Sequence, residues 1–415
     1  MIESEQSQVV YSDFVSDGHY QAYRGGLSGK HDNVRIYWED QIRGMRLRPY
    51  LRRLVDRKKR AGDRIRIADL GAGSGEGLRL LTSLMRKEAD LRLNQTRVLP
   101  IDMIEQYVGC DLCEAMVNQG NATYADLPNV AFRQGDFSKG FSLKDERPFD
   151  LYFCSYGSFS HINDDAMECL LSEMVQHAGQ RALLVGDWLG RHSIEWPCYW
   201  DEPGDEVLDY SMSWLFGGSR DDAEHFPMRF WLGSEIRSLI QHVAKSTGAQ
   251  IRVLDLYDCS AFVGRHVDTH EYNERVSPVR AAVNYLHEDN VRTDLERLKV
   301  EVAPVPGHDE LNGYFATLQF SWNNLVDYCQ QRLEKRQHPV WTKRWRSFPA
   351  PLQVAVMNLD RVVDTVSWMR MGDPRANIIE PQLGYALRSL ESELQEGAGR
   401  AHGLVGIFDI RKGCA

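Results

Sequence analysis

Ile65-Arg-Ile-Ala-Asp-Leu-Gly-Ala-Gly-Ser-Gly-Glu-Gly77 is the stretch whose reading decides the fold. Ile65, Ile67 and Ala68-Asp69-Leu70 predict a short buried strand, because the apolar run is bounded by charges before it and glycines after it. Gly71, Gly73 and Gly75 follow at alternate positions, and Leu78, Leu80, Leu81 and Leu84 then repeat at helical spacing. Strand, glycine turn and helix bring bare backbone close to a nucleotide-like ligand, since a side chain there would block the approach. A plain tight turn would not need three alternating glycines. The G-x-G-x-x-G dinucleotide fingerprint fails, with Glu76 or Leu78 where its last glycine belongs, and the Gly-Lys-Ser/Thr of a P-loop is missing.

Apolar-Asp-Leu-Gly-x-Gly-x-Gly resembles the first motif of the class I S-adenosylmethionine (SAM) methyltransferases, in which the glycine turn passes under the methionine part of the cofactor. The resemblance covers roughly residues 35–270. It implies an α/β fold: a Rossmann-like seven-stranded methyltransferase sheet with helices on both faces and one antiparallel strand. SAM is then the cofactor and methyl transfer the activity, with Asp69, Gly71, Gly73 and Gly75 among the cofactor contacts.

Further residues fall into the same pattern. Tyr107-Val-Gly-Cys-Asp111 reads as a second strand whose terminal carboxylate can accept from both ribose hydroxyls, with Glu114 as the alternative. Asp111 stands about twice as far from Asp69 as the ~20 positions usual in such folds, which implies an insertion near residues 88–104. Val130–Arg133 leads to Gly135-Asp136-Phe137, where the resemblance implies that Asp136 accepts from the adenine amino group and Phe137 covers the ring. Phe149–Ser155 is a fourth buried strand. Its continuation, Tyr156-Gly-Ser-Phe-Ser-His161, is similar to the Gly-Asn-Ser-Phe-x-His segment of glycine N-methyltransferase-like enzymes, with Tyr156-Gly157 in place of Gly-Asn. Ser155 is counted with the cofactor contacts. His161, near both sulfonium and substrate, is the candidate base, with His192 and Tyr156 in reserve; a base is needed only where the acceptor arrives protonated. In those enzymes an arginine ahead of the first strand binds the SAM carboxylate. Arg43 and Arg46 both stand in that segment, and Arg46 is counted among the cofactor contacts.

The rest of the chain is read around that unit. Residues 1–60 form an N-terminal lid and helix: Tyr11, Phe14, His19, Tyr20 and Tyr23 precede Gly25-Gly26, and a helix follows whose basic face runs from Arg43 to Arg60. Residues 61–270 are the methyltransferase domain. Its insertion at about 190–230 crowds Trp196, Tyr199, Trp200, Tyr210, Trp214 and Phe216 around turn residues, as in a substrate pocket. Ile251–Tyr257 and Ala261–His266 are expected to close the sheet as a hairpin. Residues 271–415 read as an appended α-rich C-terminal domain, with helices at Leu286–Leu298, Phe315–Leu333 and Pro381–Leu394, a break at Pro349-Ala-Pro351 and a last strand from Gly403. It either caps the site or makes a homodimer.

Composition narrows the function classes. The 415 residues are 43% hydrophobic and 26% charged, ordinary for a globular chain of about two to three domains. A net charge of −10 argues against general nucleic-acid binding. No apolar run approaches the ~20 residues of a membrane span. The acidic opening is unlike a secretory signal, and eight scattered cysteines fit reduced thiols, so a cytoplasmic location is expected. The Cys110-x-x-Cys113 pair has no second pair with it, and no metal site is expected. The favoured acceptor is a small molecule with an O, N or C nucleophile. RNA methylation through the basic helix at 43–60, or a non-catalytic SAM-binding protein, are the alternatives.

Overall fold

Alternating apolar residues in the sheet strands divide the interior into two cores, one on each face of a central sheet. The computed structural model describes residues 11–13, 15–16, 18, 25–27, 29–86, 96–211, 225–265, 267–334, 346–366 and 372–413. The expected lid residues Phe14, His19, Tyr20 and Tyr23, the insertion residues Trp214, Phe216 and Gly217-Gly218, and His266 lie outside them. Strands β1 (Ile65–Leu70), β2 (Ile104–Asp111), β3 (Val130–Gln134), β4 (Leu151–Phe153) and β5 (Arg181–Gly190) run parallel in the order β3-β2-β1-β4-β5. Ile65 and Ile67 of β1, with Leu183 and Val185 of β5, face helices α1 (Asp40–Ala61) and α2 (Glu76–Ser83). Ala68, Leu70, Ala182 and Leu184 point the other way, against α3 (Asp164–His177) and α4 (Gly233–Thr247). The period of two that made these segments legible as strands is the one that builds the two cores.

Within the insertion, β6 (Val207–Ser211) and β7 (His225–Trp231) form an antiparallel ribbon, and β7 pairs with the end of β5 through Leu189–Phe230 and Gly190–Trp231. Beyond α4 the expectation of a closing hairpin fails. Its first strand forms as β8 (Gln250–Cys259), but Ser260 takes a φ of 67° and Ala261–Val263 are bends. Ala261, Phe262 and Val263 are buried in the core without belonging to a strand, so their apolar run records burial and not pairing. The antiparallel strand is instead β9 (Gly403–Arg411), inserted between β5 and β8 and paired along both. The seven-stranded arrangement is therefore present, extended by the ribbon to nine strands.

The α-rich region is also present, bracketed by two strands of the sheet. Its main helices are α5 (Asp309–Leu333), α6 (Ala350–Val366), which starts at the expected proline break, and α7 (Glu380–Leu394). The helix expected over Leu286–Leu298 does not form: a short helix Arg280–Tyr285 ends just before it, residues 286–294 are turns and loop, and only Leu295–Leu298 make a 3-10 turn. Trp322, Leu359 and Leu387 belong to the same continuous core as Ile67 and Ile407. Trp38, in the π-helical turn Arg35–Glu39 that leads into α1, joins the two: its ring centroid lies 5.5 Å from that of Trp322, and its indole N–H donates to Glu391 at 3.3 Å. Among the described residues no helix is long and apolar enough to cross a membrane.

Candidate functional site

The carboxyl ends of the parallel strands, where ligands bind in open α/β sheets, gather most of the predicted site residues. The glycine turn leaves β1 with Gly71, Gly73 and Gly75 all at positive φ. A Cβ on Gly71 would stand 2.5 Å from the Ser158 side chain, and one on Gly75 2.4 Å from Tyr124, so these two are fixed by packing. At Gly73 nothing lies within 4 Å: here the bare backbone faces open space. The Gly73 N–H donates to Asp111 Oδ2 at 2.8 Å, and Cys113 N–H donates to Oδ1 at 2.9 Å, which fixes the carboxylate beside the turn. Burial raises the Asp111 pKa against the pull of these two N–H groups.

Asp69 behaves differently. By strand parity it falls on the face of Ile65 and Ile67, beneath α2, and it is wholly buried. A Cβ on Gly77 would nearly touch it, and Tyr107 donates its hydroxyl to Oδ2. Burial pushes its pKa up to about 7, with the Tyr107 bond opposing. Asp69 thus anchors the turn from inside and does not line the open side. Asp136 is engaged locally, accepting from Ser138 N–H at 3.0 Å, and Phe137 packs edge-to-face on Phe159, close to Gly71. Burial alone would raise the Asp136 pKa, but bonds from Ser138 and Lys139 hold it low.

Two cations that sequence reasoning passed over stand against the turn. Lys30 Nζ is 2.9 Å from Glu76 Oε1, and burial lowers its pKa to about 8 against the attraction of Glu76. Arg35 lies with Cζ 3.8 Å over the Tyr156 ring, bonded to Asp40 at 3.0 Å and to Glu76 Oε2 at 3.4 Å. Its Nη1 is buried and has no hydrogen-bond partner among the described residues. That orphaned donor beside an open glycine turn fits a ligand carboxylate. The signal in the sequence was Glu76 itself, an acid inside the glycine motif that needs cations from elsewhere. Arg46 is not one of them: it reaches the Ser392 carbonyl at 2.6 Å and Asp255 at 3.7 Å, on the helical side. Arg43 is buried between Glu39 and Asp187, 2.9 Å from the latter.

The loop after β4 carries Ser155, buried, and Tyr156, whose backbone stands at φ 60°. Tyr156 N–H donates to Asp187 at 2.8 Å and its hydroxyl to Asp40 at 2.9 Å, so this ring is held as a structural post under Arg35. His161 sits at the same edge with the Tyr11 ring 6.3 Å away, and burial lowers its pKa to about 4, which keeps it neutral. His192 stands apart. Its backbone N–H donates to the Gly399 carbonyl, its ring lies 6.4 Å from that of Trp200, and burial, then Arg400, lowers its pKa to about 4. The cysteines of the C-x-x-C are not joined in a disulfide: Cys110 Sγ lies 3.1 Å from Ser142 Oγ and Cys113 Sγ 3.5 Å from Ser12 Oγ, and no cluster of metal-ligating side chains occurs among the described residues.

A family model described as a methyltransferase domain matches residues 95–180, which span β2 to the threshold of β5. No curated protein matches by sequence. Among solved structures, the chain is similar to a SAM-dependent methyltransferase from Clostridium acetobutylicum at 14% identity, covering 47% of this chain and 76% of that one with a TM-score of 0.32. It is also similar to the sugar N-methyltransferase KedS8 from a Streptoalloteichus species, at 17% identity over 50% and 80% of the two chains with a TM-score of 0.30. A third likeness is to DhpI in complex with SAM, at 16% identity over 60% and 90% with a TM-score of 0.35.

Proposed function

We propose that this chain, which carries a class I SAM-dependent methyltransferase domain, transfers the methyl group to a small molecule held on the β4–β5 side of the strand ends. The observation that carries the reading is the open backbone at Gly73, framed by the fixed Asp111 carboxylate and the orphaned Arg35 Nη1. In this reading Asp111 holds the ribose hydroxyls, Arg35 with Lys30 receives the cofactor carboxylate, and Asp136 and Phe137 receive the adenine. When bound, SAM supplies an electrophilic methyl group on a sulfonium. The chain's own contribution is to hold the acceptor in line with it, an effect worth up to about 7–11 kcal/mol.

A small acceptor is favoured over RNA by the neutralisation of part of the basic face of α1. Arg43 is buried, Arg46 is spent on the helical region, Arg52 pairs with Asp56, and Lys58 pairs with Asp150 at 2.7 Å. Charges neutralised within the chain add little to phosphate binding. The reading is tested by calorimetry with SAM and its demethylated product, using nicotinamide and triphosphate nucleotides as controls. Transfer of labelled methyl to a panel of hydroxyl, amine and carbon acceptors then follows. Heat with the SAM pair alone and transfer to one acceptor class is expected. Heat with the nucleotides alone would overturn the assignment, and transfer to RNA alone would overturn the acceptor.

A further inference from the structure

His402 heads β9, immediately before Gly403, which pairs with Leu189 at the carboxyl end of β5. It therefore stands at the ligand-binding edge although it lies far along the chain. Its Nδ1 is 2.8 Å from Glu195 Oε2, and neither side chain has any exposed surface. Ser193 Oγ donates to the same carboxylate oxygen at 3.1 Å, while Glu195 Oε1 is buried with no hydrogen-bond partner among the described residues. His402 Nε2 is 3.5 Å from the hydroxyl of Tyr210, on β6. The rings of Trp196 and Tyr272 lie 5.3 and 6.2 Å from the imidazole. This aromatic group adjoins the cofactor side: Tyr11 packs against it, and the Tyr11 ring also faces His161.

The chemistry follows from the hydrogen-bond roles. A carboxylate only accepts, so Nδ1 carries the imidazole proton and Nε2 is left to accept from Tyr210 O–H. Burying such a pair is expensive unless its groups are used or fully bonded, and one oxygen of Glu195 is not bonded. We propose that Tyr210, His402 and Glu195 form a proton relay that takes the hydroxyl proton from a planar phenolic acceptor seated against Tyr210, Trp196 and Tyr272; this rests on the methyltransferase reading above. The acceptor oxygen forms a bond to the methyl carbon as the carbon–sulfur bond of SAM breaks, its electron pair staying on sulfur. The hydroxyl proton passes to the Tyr210 oxygen while the Tyr210 proton passes to Nε2, and Glu195 balances the imidazolium. A carboxylate or free amine acceptor would need no such relay, whereas a neutral hydroxyl is a weak nucleophile.

Burial holds the Tyr210 pKa up at about 12, so this phenol does not ionise alone near neutral pH. The charged and titratable groups facing His402 are Glu195 from the loop after β5, Tyr210 from β6 and Tyr272 from the turn Thr269–Tyr272. Glu39, ahead of α1, and Arg265, after β8, lie behind them.

The probe is 4-nitrophenol, whose phenolate absorbs visible light, added to protein saturated with the demethylated product at a pH just below the phenol's own pKa. Wild type is expected to raise the phenolate absorbance. H402Q and Y210F should reduce that rise by about tenfold or more, and E195Q by less. Product affinity measured by calorimetry should stay within about twofold throughout, which also certifies the fold; should H402Q fail to fold, Y210F decides. No rise in wild type, or an equal rise in the variants, overturns the relay. Absence of heat with the product in wild type would instead bring down the cofactor reading, and the relay with it.

Discussion

The two halves of the strand-end edge are built in opposite ways. On the β1–β3 side the defining contacts use backbone and span no more than 38 positions: Gly73 N–H to Asp111, Cys113 N–H to the same carboxylate, Ser138 N–H to Asp136. On the β4–β5 side they join distant segments through side chains: Tyr156 with Asp40, Arg43 with Asp187, His402 with Glu195. A cradle for one fixed cofactor can be made by a compact motif whose bare main chain is its recognition element. In the proposed reading, selecting an acceptor requires side chains, which come from the insertion, the segment before α1 and the far side of the helical region.

The sharpest way to break this contrast is at Gly73. A valine there must adopt a φ of 52° and projects into the open side, so SAM affinity should fall by about 100-fold or more, alongside a stability loss of about 1–3 kcal/mol from the strained backbone. An unchanged affinity by calorimetry would mean that the turn is not the cradle. Asp111→Ala comes next. Losing the carboxylate proposed to take the two ribose hydroxyls should weaken SAM by roughly 10- to 100-fold, with kcat for a bound acceptor affected less.

Asp69→Asn should act on stability instead. A carboxyl whose folded pKa is raised prefers its proton in the fold, so the wild type loses relative stability as pH climbs from the unfolded value of about 4 to about 7, and is level above that. The asparagine variant should match wild type near pH 4 and exceed it by up to about 4 kcal/mol above pH 7, read from paired denaturation curves. A difference independent of pH would show that Asp69 is already ionised in the fold. The smallest effect is expected from Arg46→Ala. SAM affinity should stay within about twofold, with a loss of less than about 1 kcal/mol from the severed contact to the helical region. A tenfold loss of SAM affinity would move Arg46 back to the cofactor side.

The β1–β3 half was legible in the sequence because its signals are local. An apolar run, a glycine spacing and an acid at a strand end each specify their own geometry. The β4–β5 half was not. His402 and Glu195 are 207 positions apart, and neither has neighbours that announce a site. Ala261–Val263 illustrates the same limit: the apolar run was read as a strand, yet the pairing partner of β8 was supplied by Gly403–Arg411. Arg35 escaped notice because the π-helical turn ahead of α1 carries no regular repeat, so its direction toward Glu76 is visible only in three dimensions.

The placement of β9 has a consequence for how the molecule is made. Until residues 403–411 leave the ribosome, β5 and β8 each present an unsatisfied edge in the middle of what will become one sheet, and the nascent chain must keep it from pairing with a stranger. Closure of that gap joins segments of high sequence separation, which makes it a slow event, and synthesis of the whole helical region has to precede it.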